Sequence, residues 1–324
     1  MKKRLTGYRL LALLAALFCL LGATGCGWPV ETEVETEDIP TVETPEPPVA
    51  GLDTMAAIGS HAINSDFAIL CELDGLVAVA GLRAEEKMYP ASMTKLMTFI
   101  VAYENAADLS ALVEITREMK NQYAEGSRVG IDVGDLMTVE QMLYAMLLES
   151  DTDACLGLAW YVAGTEADFV ALMNQKAQEM GLVNTRFANV TGLHAANHYT
   201  TPAEMAAILA YALNIPLGRT ILTTERYVTY LKYYKNGTLT DYRMTFKNTT
   251  LVSRFADNEI ATTFEDGTRV MGGKTGFTDE ADYCLASVAA SADGREYILI
   301  TGHASSSENS ARDAVKIYGA YAGE

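Results

Sequence analysis

The sequence predicts an α+β fold, and three observations carry that reading. Strand-patterned segments lie toward both ends of the folded part. The middle, from about 135 to 215, has helical periodicity, and an alternating stretch rich in Tyr and Thr follows it. The strands at the two ends are expected to complete an antiparallel sheet, with the helices inserted between them.

The elements follow in order. Residues 66–84, DFAILCELDGLVAVAGLRA, hold two apolar runs separated by Leu-Asp-Gly, the pattern of a hairpin. In the next segment Met93, Leu96, Met97, Ile100 and Val101 recur at helical spacing. MTVEQMLYAMLLES (137–150) keeps a 3.6-residue period and opens on a Thr-Val-Glu-Gln cap pattern. TEADFVALMNQKAQEMG (165–181) ends on Gly181 as its C-cap, and TTPAEMAAILAYAL (200–213) places Pro202 in a first helical turn. ERYVTYLKYYKNGTLTDYRMTF (225–246) alternates about Asn236-Gly237, a turn signal. TRVMGGKTGFT, DYCLASVAAS and EYILITGHAS read as later strands and SARDAVKIYGAYAG as a final helix, with no internal repeat.

Composition bounds the function. The 324 residues carry a net charge of −18, which disfavours a nucleic-acid role. From Gly51 on there are 35 acids against 20 bases, so the folded part is acidic in its own right. At the N-terminus MKKR precedes the apolar run LLALLAALFCLL, short for a membrane span, and residues 1–26 are expected to form an export signal. Small residues before Cys26, in GATGCG, resemble a lipobox, with Ala23 where leucine is commoner. Cys26 is therefore the expected lipidation site, an ordinary cleavable signal or an uncleaved anchor being the alternatives. Residues 27–50 form a Pro/Thr/Glu-rich linker with seven carboxylates between 31 and 46, expected to stay extended and bury no core. The folded domain is expected over 51–324, on the extracytoplasmic face of the cell membrane, with no further β-domain behind the last helix. Cys71, Cys155 and Cys284 show no zinc-site spacing and read as buried apolar residues, at least one of them a free thiol.

The chemistry centres on YPASMTKLMTFI (89–100). Ser92 is the chain's only serine with lysine three residues later, and on a helix positions i and i+3 share one face. A serine in a first helical turn also lies near unpaired backbone N–H groups and the positive end of the helix dipole. Both favour the oxyanion formed when an acyl carbonyl is attacked. For Lys95 to act as a base its pKa must fall, through desolvation or a neighbouring cation. That cation is available in GGKTGFT, where Lys274 sits in a glycine-bounded strand that a substrate backbone can approach. Ser150, in LLESDTDA, breaks two helical runs. Each of these motifs alone matches many proteins by chance.

Taken together and in order, Ser-x-x-Lys, a Ser-x-Asn-like triplet and Lys-Thr-Gly resemble the low-molecular-mass penicillin-binding proteins, the serine D-alanyl-D-alanine carboxypeptidases. EGSRVGIDVGDLMTVEQMLYAMLLESDTDA, FVALMNQKAQEMGLVNTRFANVTGL, HYTTPAEMA and GGKTGFTDEADYCL extend the likeness over about residues 60–318. The resemblance implies the β-lactamase/transpeptidase-like fold, an antiparallel sheet flanked by helices beside an all-helical subdomain. It implies Ser92 as the acylated nucleophile, Lys95 as its base and Ser150 as a proton relay. Lys274 would lower the pKa of Lys95 and help hold substrate, Thr275 would bind the terminal carboxylate, and Gly276 would lie in the substrate-binding strand. The backbone N–H groups of Ser92 and Phe277 would form the oxyanion hole. Implied partners are peptidoglycan stem peptides, β-lactams as covalent inhibitors, and the membrane through an N-terminal anchor; no cofactor or metal is implied.

Two positions depart from the family. The triplet reads Ser150-Asp151-Thr152, so Thr152 stands where an asparagine amide would hold substrate, although Asp153 matches a family aspartate. One lost hydrogen bond costs about 0.5–1.5 kcal/mol, roughly a decade in rate. EADYC also places Asp282 near the binding strand. The rival readings are a β-lactamase on the same fold, which lacks the Glu-x-x-Leu-Asn loop motif here since Glu166 starts a helix, and a tethered non-catalytic sensor. His194 and His198 offer no third metal ligand, and no Gly-x-Ser-x-Gly elbow exists.

Overall fold

The computed structural model of the chain describes residues 48–120 and 125–323. The predicted export signal, Cys26 and the linker up to residue 47 lie outside the described residues. The elements are β1 (Ala56–Ala57), β2 (Phe67–Glu72), β3 (Val77–Leu82), α1 (Lys95–Asn105), β4 (Leu112–Glu114), β5 (Asp135–Thr138), α2 (Val139–Leu148), α3 (Thr152–Ala163) and α4 (Glu166–Glu179). After them come α5 (Pro202–Asn214), α6 (Pro216–Thr223), β6 (Arg226–Lys235), β7 (Thr238–Lys247), β8 (Arg269–Thr278), β9 (Asp282–Ala290), β10 (Glu296–Ala304) and α7 (Ser307–Tyr321).

The six-stranded sheet has the order β1-β3-β2-β10-β9-β8, antiparallel throughout except for the short β1–β3 pair. Both ends of the chain contribute to it, as the sequence predicts. Side chains alternate across its faces, as strand geometry requires. Ala68, Leu70, Tyr297 and Leu299 pack with Ala311, Ala314, Ile317 and Tyr318 of α7. Phe67, Ile69, Ile298 and Ile300 face the larger core with α1 and α5. Residues 95–102 of α1 are all buried, so this helix runs through the centre of the molecule, consistent with its being apolar around most of its circumference.

Local signals explain the helix starts. Thr138 and Gln141 form a reciprocal capping box on α2, and Asp151, Thr165, Thr201 and Ser306 cap α3, α4, α5 and α7 through their side chains.

The Tyr- and Thr-rich stretch does form a hairpin, with Asn236 and Gly237 both at positive φ in its turn. It does not join the main sheet, but a second four-stranded sheet of order β4-β5-β6-β7. Its inward residues have a helical partner: Tyr227 stacks on Tyr144 of α2 with centroids 3.7 Å apart, and Leu231 and Phe246 are buried. Val49 is fully buried and Ala50 bridges Val77, because an apolar Val beside a sheet edge has both a core and a hydrogen-bonding partner.

Candidate active site

Ser92 lies in a 3₁₀ turn, residues 91–94, which leads directly into α1. Ala91 takes a left-handed backbone (φ 46°), so the chain turns sharply just before the serine. Lys95 is the first residue of α1, and its Nζ donates to Ser92 Oγ at 3.0 Å and to the Thr191 carbonyl at 2.6 Å. The one-turn spacing read from the sequence thus becomes a direct hydrogen bond.

Two glycines let the surrounding backbone close on this turn. Gly276 lies against it: a Cβ there would meet Pro90 O at 3.0 Å and Ser92 N at 3.2 Å. β8 therefore brings the Lys274-Thr275-Gly276-Phe277 segment to the nucleophile's own backbone, at the free edge of the six-stranded sheet. Gly192, at φ +85°, is tighter still, with its would-be Cβ 1.9 Å from Ala91 O.

Lys95 and Lys274 are both almost completely buried. Burial pushes both ammoniums below the ordinary lysine range, because a charge is poorly solvated there. Asp151 draws a proton toward Lys95, whereas Lys95 and Arg254 repel one from Lys274, whose value falls well below normal. Of the two causes the sequence offers for a weakened Lys95, desolvation is the one that lowers it here. Lys274 Nζ donates to the Thr275 carbonyl at 2.9 Å, and Thr275 Oγ1 donates to Thr249 Oγ1 at 2.8 Å.

The Ser150 triplet joins α2 to α3. Ser150 is buried at φ 62°, and its Oγ has no hydrogen-bond partner among the described residues. Asp151 caps α3 through Ala154 N (2.7 Å) and also accepts from Val129 N (2.8 Å). Its pKa rises to about 6, because burial outweighs those two hydrogen bonds. Thr152 Oγ1 donates to the Ser127 carbonyl at 2.9 Å, and Thr152 N donates to the same oxygen at 3.0 Å. Its short side chain commits its proton to the Ser127 loop, where an asparagine amide would have reached further.

Several residues in this neighbourhood were not singled out by sequence reasoning. Arg254 is buried and its guanidinium is lowered to about 10, chiefly by desolvation. Nη2 donates to the Cys284 carbonyl at 3.3 Å, Nη1 has no hydrogen-bond partner among the described residues, and the group lies 5.3 Å from the Tyr283 ring centroid. A guanidinium in this state suits a carboxylate. Thr191 and Gly192 fall in the NVTGL stretch, whose likeness to the family was legible while its role was not. His198 shares a 2.8 Å hydrogen bond with Thr94 Oγ1, and burial lowers it to about 4, so it stays neutral at pH 7. Among the described residues no cluster of His, Cys, Asp or Glu could hold a metal ion. Cys71, Cys155 and Cys284 are free and buried, as expected.

Comparison with known proteins agrees with this geometry. The sequence profile of peptidase S11, the D-alanyl-D-alanine carboxypeptidases, matches residues 54–305. D-alanyl-D-alanine carboxypeptidase DacF of Bacillus subtilis is 31% identical over 248 residues, covering 76% of this chain and 59% of its own length. DacC of Escherichia coli is also 31% identical, over 229 residues, with 68% of this chain and 52% of that protein covered. The chain therefore spans between half and three-fifths of the length of these two relatives. The crystal structure of the Streptomyces K15 DD-transpeptidase superposes with a TM-score of 0.69 at 26% identity, covering 79% of this chain and 96% of that one. With the α+β transpeptidase-like fold and the family profile over residues 54–305, the chain belongs to the peptidase S11 family of D-alanyl-D-alanine carboxypeptidases.

Proposed function

We propose that this protein is a serine-type D-alanyl-D-alanine carboxypeptidase that removes the terminal D-alanine from peptidoglycan stem pentapeptides and is acylated by penicillins. The observation that carries the reading is the 3.0 Å hydrogen bond from a buried Lys95 to Ser92, with the Lys-Thr-Gly strand packed against the same backbone.

In the reaction, Ser92 Oγ attacks the carbonyl carbon of the penultimate D-alanine and passes its proton to neutral Lys95 Nζ. The oxyanion lies between the N–H groups of Ser92 and Phe277, a role supported by the close approach of the neighbouring Gly276 to the Ser92 backbone. The substrate carboxylate sits by Lys274, Thr275 and Arg254. Its negative charge raises the proton affinity of Lys274 and so leaves Lys95 as the neutral member of the pair. Lys95 returns the proton through the Ser150 hydroxyl to the departing D-alanine nitrogen as the C–N bond breaks. Water, deprotonated by the same lysine, then attacks the ester carbonyl, and the lysine returns that proton to Ser92 Oγ as the C–O bond breaks.

We further infer that residues 1–26 export the protein and that Cys26 carries a lipid, supported by the small residues before that cysteine. Loss of lipid labelling in Cys26→Ala tests the anchor. For the activity, D-alanine released from a pentapeptide ending in D-Ala-D-Ala is the deciding assay. Acylation by labelled penicillin without D-alanine release would favour the sensor reading, and sustained penicillin hydrolysis a β-lactamase.

A further inference from the structure

The β6–β7 hairpin has two unlike faces. Residues across from each other share a face, and the register pairs Val228 with Thr245, Tyr230 with Arg243, Lys232 with Asp241, and Tyr234 with Leu239. The opposite face is the anchored one: Tyr227, Leu231 and Phe246 pack inward, and Tyr242 Oη donates to Asp135 Oδ2 at 2.5 Å. The outer face is exposed. Val228, Tyr230, Tyr234 and Leu239 are four of the nine large hydrophobic residues exposed among the described residues, and all four lie on this one face.

Charge on the hairpin runs against the rest of the chain. Between 226 and 247 there are five bases (Arg226, Lys232, Lys235, Arg243 and Lys247) and one acid (Asp241), in a protein of net charge −18. Arg226 is offset by Glu225 at 3.2 Å and Lys232 faces Asp241, which leaves Lys235, Arg243 and Lys247 as the basic excess. Lys232 and Arg243 share the outer face with Tyr230, Tyr234 and Leu239, and Lys235 follows at the turn.

We propose that this outer face docks on the surface of a bilayer containing anionic lipid. Tyrosine presents an apolar ring with a polar tip, suited to the depth of the lipid headgroups, and Lys and Arg are attracted to anionic headgroups. Val228 and Leu239 add apolar area that a soluble polyanion would not reward. An acidic protein would be repelled by such a membrane, so a single basic-aromatic face also fixes which side approaches it.

The test uses the full chain with Tyr234→Trp, after Trp28→Phe and Trp160→Phe remove the two native tryptophans. Vesicles of phosphatidylglycerol mixed with phosphatidylcholine should shift the emission of the introduced indole to the blue, with quenching by brominated lipid. Pure phosphatidylcholine vesicles, which accept an apolar N-terminal segment equally well, should do neither. Lys232→Gln and Arg243→Gln should each weaken the interaction about fivefold, and high salt should weaken it further. Both variants should still be acylated by labelled penicillin at the parental rate. Hydrogen exchange of the unsubstituted chain over 226–247 gives the same readout without a probe. No shift and no protection with anionic vesicles overturns the proposal. A response only to soluble poly(glycerol phosphate) overturns it in favour of a polyanion, and one that grows with protein concentration without lipid overturns it in favour of a second copy.

Discussion

Gly192 is the most sharply defined point of strain behind the nucleophile. Gly192→Ala would place a methyl group 1.9 Å from Ala91 O, 2.4 Å from Ala91 C and 3.0 Å from Ser92 N. Real Cβ contacts essentially never fall below 3.0 Å, so the two segments must separate by about 1 Å. The residue also holds φ at +85°, which costs a side chain roughly 1–2 kcal/mol. Overpacking adds about 1–3 kcal/mol, for a total destabilisation of roughly 2–5 kcal/mol. Because the displaced atoms flank Ser92, a shift of this size is expected to slow acylation about a hundredfold. Gly134→Ala is the control: its φ is +94°, yet a Cβ there meets nothing within 4 Å. That variant should show only the backbone cost and acylate normally. The assay is stopped-flow acylation by a fluorescent penicillin, with Tm measured on the same samples. If Gly192→Ala kept the parental rate and Tm, the close packing of this loop on the nucleophile would be refuted.

Further outcomes follow from the buried charges of the site. The acylation rate should rise with pH, with a midpoint below the ordinary lysine value near 10.5, because burial lowers Lys95 and its neutral fraction grows through that folded pKa. By linkage, the lysines' contribution to stability is complete above the ordinary value and is lost as pH falls through their folded values. Lys95→Arg, which stays charged, should abolish acylation. Arg254→Ala should raise KM for a carboxylate-ended peptide about tenfold or more, with little change for an analogue lacking that carboxylate, as kinetics on the two substrates would show. Asp151→Asn should flatten the pH dependence of stability between about 4 and 6. The raised pKa of Asp151 gives a contribution that is full below its unfolded value of 3.8 and is lost as pH climbs through about 6, which denaturant melts can follow.

Much of this site was legible in the residues, and the limits have physical causes. Ser92 and Lys95 could be read because helical spacing fixes which side chains meet, and Lys274 because glycines mark a strand open to a substrate backbone. The capped helices α2, α4 and α5 were legible because caps and apolar periods are local signals. Arg254 was not legible: nothing near it in sequence shows that the fold buries it by Tyr283 of β9. The Thr191 carbonyl carries no side-chain signature at all. Strands β4 and β5, of three and four residues, are too short for a period to register. The hairpin itself was predicted from Asn236-Gly237, but its placement in a second sheet depends on Tyr227 meeting Tyr144, a long-range contact.

The central claim is that Ser92, activated by Lys95, is the nucleophile of a D-alanyl-D-alanine carboxypeptidase. Its most direct test is D-alanine release from a pentapeptide, measured with intact-mass analysis of the protein after exposure to penicillin. The parent chain should release D-alanine and carry one penicilloyl adduct on the peptide containing Ser92, and Ser92→Ala should do neither. Release of D-alanine by Ser92→Ala, or an adduct mapped elsewhere, would contradict it.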